Sequence, residues 1–281
     1  MDDAPATQPR YGMDDLLQIM AKLRDPDGGC PWDVAQDFAS IAPYTIEEAY
    51  EVADAIEQAD MPALKGELGD LLLQVVFHAQ MATEAGDFAY ADVVHAVSEK
   101  MVKRHPHVFG DASVADADAQ TKAWEDQKAD ERAAKAQAEG RTPSVLDDVA
   151  RGLPALMRAE KLQKRAVRVG FDWPDVAPVF DKVREELDEI TEVLEAAPAG
   201  AAPDPDRLED ELGDLLFTCV NLARKLGTDP ETALRRTNAK FERRFRDVEA
   251  FAAAAGRGGL HGMDIEDLES LWSRAKEQER V

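Results

Sequence analysis

The sequence predicts an all-α protein. Val, Ile and Thr rarely occur in alternating runs, so the period-2 pattern of β-strands is nearly absent, while Ala is abundant. Apolar residues make up 44% of the 281 residues, which is enough for packed cores. This length allows one large or two modest domains.

Helix ends are marked by residues that cap exposed backbone groups. Thr45 followed by Glu48 is typical of a capping box, Asp229 before Pro230 predicts an N-cap with proline in the first turn, and Asp264 can cap the last helix. We therefore predict helices at 12–24, 44–59, 62–84, 90–104, 118–138, 154–168, 176–196, 206–226, 230–254 and 265–279.

A polar stretch separates two halves of the chain. Residues 111–147 contain little apolar material apart from Trp124, and a Gly-Arg-Thr-Pro breaker begins at Gly140. We expect an N-terminal domain at 11–138, a linker at 139–147 and a C-terminal domain at 148–281.

One ordered set of motifs occurs twice, which indicates a tandem duplication. Each copy contains a Trp-Asp or Asp-Trp pair, then EExxE, ELGD, a basic run and WxxxK. The first copy reads Pro31-Trp32-Asp33, Glu47-Glu48-x-x-Glu51, Glu67-Leu-Gly-Asp70, Lys100-x-x-Lys103-Arg104 and Trp124-x-x-x-Lys128. The second reads Asp172-Trp173-Pro174, Glu185-Glu186-x-x-Glu189, Glu211-Leu-Gly-Asp214, Lys240-x-x-Arg243-Arg244 and Trp272-x-x-x-Lys276.

The spacing of the acids places them on common helix faces. Residues three apart share a face, so Glu186 points with Glu189, and Glu211 points with Asp214 on the next helix. If the two helices pack as an antiparallel pair, four carboxylates converge. The first copy has the same four positions: Glu48, Glu51, Glu67 and Asp70.

Apolar residues on the same helices, among them Leu187 and Leu212, are expected to form the packed face of that pair. Gly69 and Gly213 interrupt helices, at a cost of about 1 kcal/mol relative to Ala. A glycine at this position predicts a close contact between helices.

Clustered carboxylates raise one another's pKa unless a cation or protons compensate them. Mg²⁺ prefers oxygen ligands and usually binds between carboxylates and substrate phosphates, so the acids predict one or more Mg²⁺ ions. A di-iron site is disfavoured, because the Glu-x-x-His pairs of such bundles are missing. Two other interpretations stay open: the acids can form a solvated helix face, and Glu48 can serve its own capping box.

The basic residues Lys240, Arg243 and Arg244 lie within about one helical turn, where they could contact a polyphosphate. A surface stripe that forms helix salt bridges is the alternative. Trp272, four residues before Lys276, could stack on a base, or it could be an ordinary core anchor.

Charge and cysteine usage exclude several classes. A net charge of −24 argues against a protein that binds nucleic-acid polymers. Cys30 and Cys219 are far apart and lack ligand spacing, which favours a reducing, cytoplasmic setting over disulfides or a zinc site. The longest apolar run, at 71–82, is interrupted by polar residues, and residues 1–10 are acidic and polar without a basic flank before an apolar stretch, so we expect neither a membrane span nor an export signal.

The motif order resembles that of the bacterial MazG nucleoside triphosphate pyrophosphohydrolases, members of the all-α NTP pyrophosphatase superfamily. The resemblance covers roughly residues 11–279 and includes Arg104-His-Pro-His-Val-Phe109, Val169-Gly-Phe-Asp-Trp173 and Lys240-Phe-Glu-Arg-Arg-Phe245. It implies Mg²⁺-dependent hydrolysis of NTPs and dNTPs to monophosphate and pyrophosphate by a tandem pair of helical bundle domains. It also implies a homodimer that completes these bundles, and turnover in the C-terminal copy. Carried over by position, the metal ligands would be Glu186, Glu189, Glu211 and Asp214, and the nucleotide contacts Lys182, Glu185, Lys240, Arg244, Trp272 and Lys276.

On this hypothesis water attacks the α-phosphorus and pyrophosphate leaves, while Glu185 orients or deprotonates the water. Three competitors remain. The chain could be a pyrophosphohydrolase for a single dNTP or for phosphoribosyl-ATP, a nucleotide-sensing or partner-binding bundle without hydrolysis, or a purely structural acidic protein.

Overall fold

The computed structural model describes residues 10–198, 201–256 and 259–279, and in these ranges the chain contains helices and no strand, which confirms the all-α prediction. The chain forms two compact units, Met1–Gln127 and Lys128–Val281. The helices before residue 117 are α1 (Met13–Leu23), α2 (Pro31–Ala35), α3 (Phe38–Glu57), α4 (Met61–Ala85), α5 (Tyr90–Arg104) and α6 (Pro106–Phe109). They are followed by α7 (Ala117–Ala138), α8 (Ala155–Val167), α9 (Ala177–Glu195), α10 (Pro205–Lys225), α11 (Pro230–Ala254) and α12 (Ile265–Gln278).

The unit boundary falls inside α7, and residues 139–147 follow that helix as turns and irregular chain. The domain limits 11–138 and 148–281 with a linker at 139–147 stay a prediction.

Helix α3 begins earlier than the sequence predicts. It starts at Phe38 and runs through Pro43, because Asp37 caps it: the Asp37 carboxylate accepts from the Ser40 backbone N–H at 2.8 Å, and the Ser40 hydroxyl accepts from the Asp37 N–H at 2.9 Å. The predicted capping box at Thr45 is therefore wrong. Thr45 lies inside the helix, and Glu48 is not needed as a cap.

Two other helices, α11 and α12, begin directly after their predicted N-cap residues. The Asp229 carboxylate accepts from the Thr232 N–H at 2.7 Å, and the Asp264 carboxylate accepts from the Asp267 N–H at 2.8 Å. Helices α2 and α6, with five and four residues, were not predicted, because they are too short to show an amphipathic repeat.

Corresponding helices pack together in both units. In the first unit α3 packs on α4 and α1 on α4, and in the second α9 packs on α10 and α8 on α10. The first unit has an apolar core around α1 and α4 that contains Met20, Ile41, Val76, Phe77 and Met81. The helices of the two sequence copies therefore pack in corresponding pairs.

Gly69 and Gly213 do not mark close helix contacts within either unit. A Cβ on either residue would meet no heavy atom within 4 Å, so that prediction is wrong for the isolated chain.

The predicted packed face of α9 and α10 is also partly wrong, since Leu187 and Leu212 are each 49% exposed. An apolar strip of this helix pair therefore faces outward.

Candidate metal and nucleotide site

Helices α9 and α10 bring three of the predicted carboxylates together. Glu186 on α9 and Glu211 and Asp214 on α10 each offer an oxygen, and these oxygens lie within 4.8 Å of one another. Glu189 lies beside this acidic cluster, where a hydrogen bond with Glu186 and the charge of Glu211 raise its pKa. Helical spacing and the pairing of α9 with α10 produce this convergence.

The buried member of the cluster is Glu186, which is 2% exposed. Its Oε1 lies 3.0 Å from Lys182 Nζ, and the Thr218 hydroxyl donates to the same oxygen at 3.4 Å. Lys182 Nζ also contacts Glu185 Oε1 at 2.8 Å, and the two carboxylates raise the lysine's pKa. The other carboxylate oxygen, Glu186 Oε2, is buried without a hydrogen-bond partner.

The first unit repeats the acidic cluster. Glu48, Glu67 and Asp70 offer oxygens within 4.8 Å of one another. Partial desolvation and the nearby charges of Asp70 and Glu51 raise the pKa of Glu48, and desolvation, Glu51 and Asp70 raise that of Glu67. The position of Lys182 is occupied here by Tyr44, three residues before Glu47.

Both clusters fit a hard divalent cation. Their donors are carboxylate oxygens, they are close enough to contact one ion, and the unpartnered Glu186 Oε2 is the kind of buried acceptor that an ion would satisfy. Desolvation and neighbouring carboxylates raise the pKa of Glu48, Glu67 and Glu189, and a bound cation would offset both effects.

A pH-dependent thermal shift follows from these pKa values. Because the folded state raises the pKa of Glu48, Glu67 and Glu189, the stability that these three groups contribute should be greatest below the ordinary carboxyl range and fall as pH rises through the raised values. Mg²⁺ binds the charged form, so we expect it to raise Tm clearly at about pH 7.5 and hardly at all at about pH 4. Scanning calorimetry at matched ionic strength checks this, and an equal Mg²⁺ shift at both pH values would contradict it.

The basic residues of α11 are held by an acid that sequence reasoning missed. Glu279, just after α12, accepts from Arg243 Nε at 3.0 Å and from Arg244 Nε at 2.6 Å. Both arginines lower the pKa of Glu279. The signal in the sequence that could have indicated its role was the position of this glutamate directly after the C-terminus of a helix, where the helix dipole disfavours negative charge.

The tryptophans anchor helices in both units. Trp272 on α12 packs on Phe241 of α11, with ring centroids 5.3 Å apart, and lies 6.0 Å from the Arg244 guanidinium carbon. Trp124 in the first unit donates through Nε1 to the Arg104 carbonyl at 2.8 Å. These contacts favour the core-anchor interpretation and place each tryptophan against a basic run.

The acidic cluster and the basic residues form separate groups in the chain. Across 10–198, 201–256 and 259–279, no ion pair joins Lys240, Arg243 or Arg244 to the acids of α9 and α10. Lys240 is half-buried and Lys276 is exposed. The nucleotide contacts predicted at these positions stay a prediction.

A cavity of about 680 Å³ adjoins the second acidic cluster. Lys182, Glu186 and Asp214 line part of it, and the remaining lining includes residues that the sequence did not single out as functional. Asp172, which also lines the cavity, pairs with Arg224 at 2.5 Å and with Lys225 at 2.8 Å, and these cations lower the pKa of Asp172 to about 2. Sequence reasoning found Asp172 only as part of a repeated motif. It missed Gln163, Asn221 and Thr218, which no acidic or basic motif marks.

The fold and the site define a class: duplicated helical proteins in which each unit carries a carboxylate cluster on a packed helix pair. A sequence profile described as "MazG nucleotide pyrophosphohydrolase domain" matches residues 36–109 and 179–249. The chain therefore belongs to the MazG family, as its motifs indicated.

Relatives with curated names align along nearly the whole chain. A "Nucleoside triphosphate pyrophosphohydrolase" of Escherichia coli (strain K12) is 54% identical over 267 residues, covering 95% of this chain and 98% of the relative. The "Nucleoside triphosphate pyrophosphohydrolase/pyrophosphatase MazG" of Thermotoga maritima is 44% identical, covering 94% and 95%. A "Nucleoside triphosphate pyrophosphohydrolase" of Mycolicibacterium smegmatis is 33% identical, covering 91% of this chain and 64% of the relative.

Proposed function

We propose that this protein hydrolyses nucleoside triphosphates between the α- and β-phosphates, with Mg²⁺, to nucleoside monophosphate and pyrophosphate. The observation that carries the proposal is the compact group of Glu186, Glu211 and Asp214, with a buried open oxygen, beside a cavity of nucleoside size. Membership of the MazG family and the names of its relatives support the same activity.

In this mechanism Glu186, Glu189, Glu211 and Asp214 would hold the cation, and a cation bound there would supply positive charge to polarise the triphosphate. Water attacks the α-phosphorus, and pyrophosphate leaves. Lys182 orients Glu186 through its 3.0 Å contact. Glu185, exposed and outside the compact group, is the carboxylate that orients or deprotonates the attacking water.

Positive side chains stabilise the charge that develops on the leaving pyrophosphate. Arg243 and Arg244 on α11 supply this positive charge once the substrate displaces Glu279 from them. Lys240 and Lys276 add further positive charge. Trp272 holds Arg244 in position through its ring face.

A pyrophosphate-release panel tests the function. The full-length protein is incubated with Mg²⁺ and each canonical or damaged NTP or dNTP, and we expect equal amounts of monophosphate and pyrophosphate, with complete loss in EDTA and recovery on adding Mg²⁺. Saturable nucleotide binding without these products would indicate a sensing module, and activity on a single nucleotide would indicate a narrower enzyme. Phosphoribosyl-ATP belongs in the same panel.

We also propose that the protein is a homodimer. The outward-facing leucines of α9 and α10, including Leu187 and Leu212, form an apolar surface beside the acidic cluster, and Gly213 leaves room for a close neighbour. Sedimentation equilibrium should give twice the chain mass, and Leu187→Glu should shift the mass toward the monomer. A wild-type monomer at micromolar concentration would contradict this.

We assign the protein to the cytoplasm. Both cysteines, Cys30 and Cys219, are free thiols, which fits a reducing compartment. None of the helices in the described ranges combines the length and hydropathy of a membrane-spanning segment.

A further inference from the structure

The cavity of the second unit is shaped for a larger ligand than a metal ion. It measures about 680 Å³, within the range of about 300 to 1,000 Å³ that is usual for small-molecule sites. Lys182, Glu186 and Asp214 line it together with apolar residues such as Leu162 and Phe217. A ligand that meets the acidic cluster can therefore extend into a largely apolar space.

Gln163 provides a buried acceptor in this cavity. Its side chain is 93% buried, since the residue is 7% exposed, and its Nε2 donates to the Phe217 carbonyl at 2.8 Å. That bond orients the amide and leaves Oε1 buried with no partner. Because buried acceptors are almost always satisfied, this oxygen indicates a ligand that brings a hydrogen-bond donor.

Two aromatic side chains lie at the same cavity. Phe171 is 80% exposed and Trp173 is 39% exposed, an unusual degree of exposure for rings that line a pocket. Flat aromatic faces of this kind stack on nucleobases of any sequence. Stacking surfaces and an N–H acceptor are together the elements needed to bind a base.

The helices of the first unit that correspond by packing, α1 and α4, carry a buried apolar cluster. Met20 lies on α1, and Phe77 lies seven residues after Asp70 as Asn221 lies seven after Asp214. Met20 and Phe77 are 1% and 4% exposed and belong to the core cluster of their unit. Both units thus carry the acids and a buried glutamine with an unpartnered oxygen, Gln74 in the first and Gln163 in the second, and it is Gln163 that lines the cavity described above.

We propose that the cavity of the second unit receives the nucleobase of the substrate, with Gln163 Oε1 accepting a hydrogen bond from a base N–H and Phe171 stacking on the ring. The proposal rests on the proposed function and deepens it.

Calorimetric binding with two probes tests this assignment in the full-length protein with Mg²⁺. The probes are α,β-methylene ATP, which resists hydrolysis at the scissile position, and inorganic tripolyphosphate, which has no base. Wild type should bind the nucleotide more tightly, and Gln163→Met, which removes the acceptor while keeping a side chain of similar length, should raise its Kd about tenfold while the Kd of tripolyphosphate stays unchanged.

Gln74→Met is the matched control, because Gln74 in the first unit is likewise buried, at 8% exposed, and has an unpartnered Oε1. It should change neither affinity. If Gln163→Met loses helix content by circular dichroism, Phe171→Ala replaces it, since that exposed side chain can be removed without disturbing the core and should also weaken nucleotide binding alone.

The assignment is overturned if wild type does not prefer the nucleotide, if the variant affects both probes equally or neither, or if Gln74→Met has the same effect as Gln163→Met. Failure of the proposed function looks different. In that case the Gln163-dependent preference persists, but wild type releases no pyrophosphate from ATP.

Discussion

Replacing Asp214 by alanine should lower pyrophosphate release by at least about 100-fold, because it removes one of the three closest carboxylates, and even residues that only support metal ligands contribute about 10- to 100-fold. Asp214 is exposed, so helix content and Tm should change little. Steady-state kinetics and Mg²⁺ titration calorimetry check both parts. Near-normal turnover would count strongly against the metal site.

The duplicated architecture offers a matched control. Asp70→Ala removes the equivalent member of the first acidic cluster, whose oxygens also lie within 4.8 Å of one another. We expect it to lower the number of bound Mg²⁺ ions but to leave most turnover intact, as expected if the second unit is the working copy. If Asp70→Ala abolishes turnover while Asp214→Ala does not, the assignment of the working copy is reversed.

Arg244→Ala should raise KM for nucleoside triphosphates by about 10- to 100-fold, since hydrogen bonds to charged groups are stronger than neutral ones. The expected loss is mainly in substrate binding and leaving-group stabilisation. Initial-rate kinetics over a wide substrate range, at constant free Mg²⁺, separates KM from kcat.

Two further variants sharpen this result. Arg246→Ala removes an exposed arginine of the same helix, whose contact with Glu242 is a loose 3.8 Å, and should leave KM unchanged. Glu279→Gln releases both arginines from their carboxylate partner and should lower KM. A rise of KM in Glu279→Gln would show that the ion pair positions the arginines, and unchanged kinetics in Arg244→Ala would remove them from the substrate site.

Helix positions were largely predictable because their signals are local. Asp229 and Asp264 cap helices through bonds to residues three positions away, so the sequence window contains both partners. The start of α3 was mispredicted because Thr45 and Glu48 match a capping pattern that the upstream pair Asp37 and Ser40 makes unnecessary. Two valid local patterns competed, and only the folded backbone distinguishes them.

The acids of the candidate site were predictable for the same reason, and their neighbours were not. Glu186 and Asp214 recur at helical spacing in two copies, which a sequence shows directly. Gln163 reaches Phe217 across 54 positions, and Glu279 reaches Arg243 across 36. No periodicity links such partners, so their roles appear only when the helices are packed.

The sequence by itself determined the helical class, the duplication and the face on which each group of acids lies, because these depend on periodicity and on capping within one turn. Tertiary structure alone decided that Gln163 has a free acceptor beside a cavity while Met20 is packed into a core. The physical reason is that space between helices depends on side chains from three elements at once. Two copies with the same acids can therefore differ in what they are able to bind.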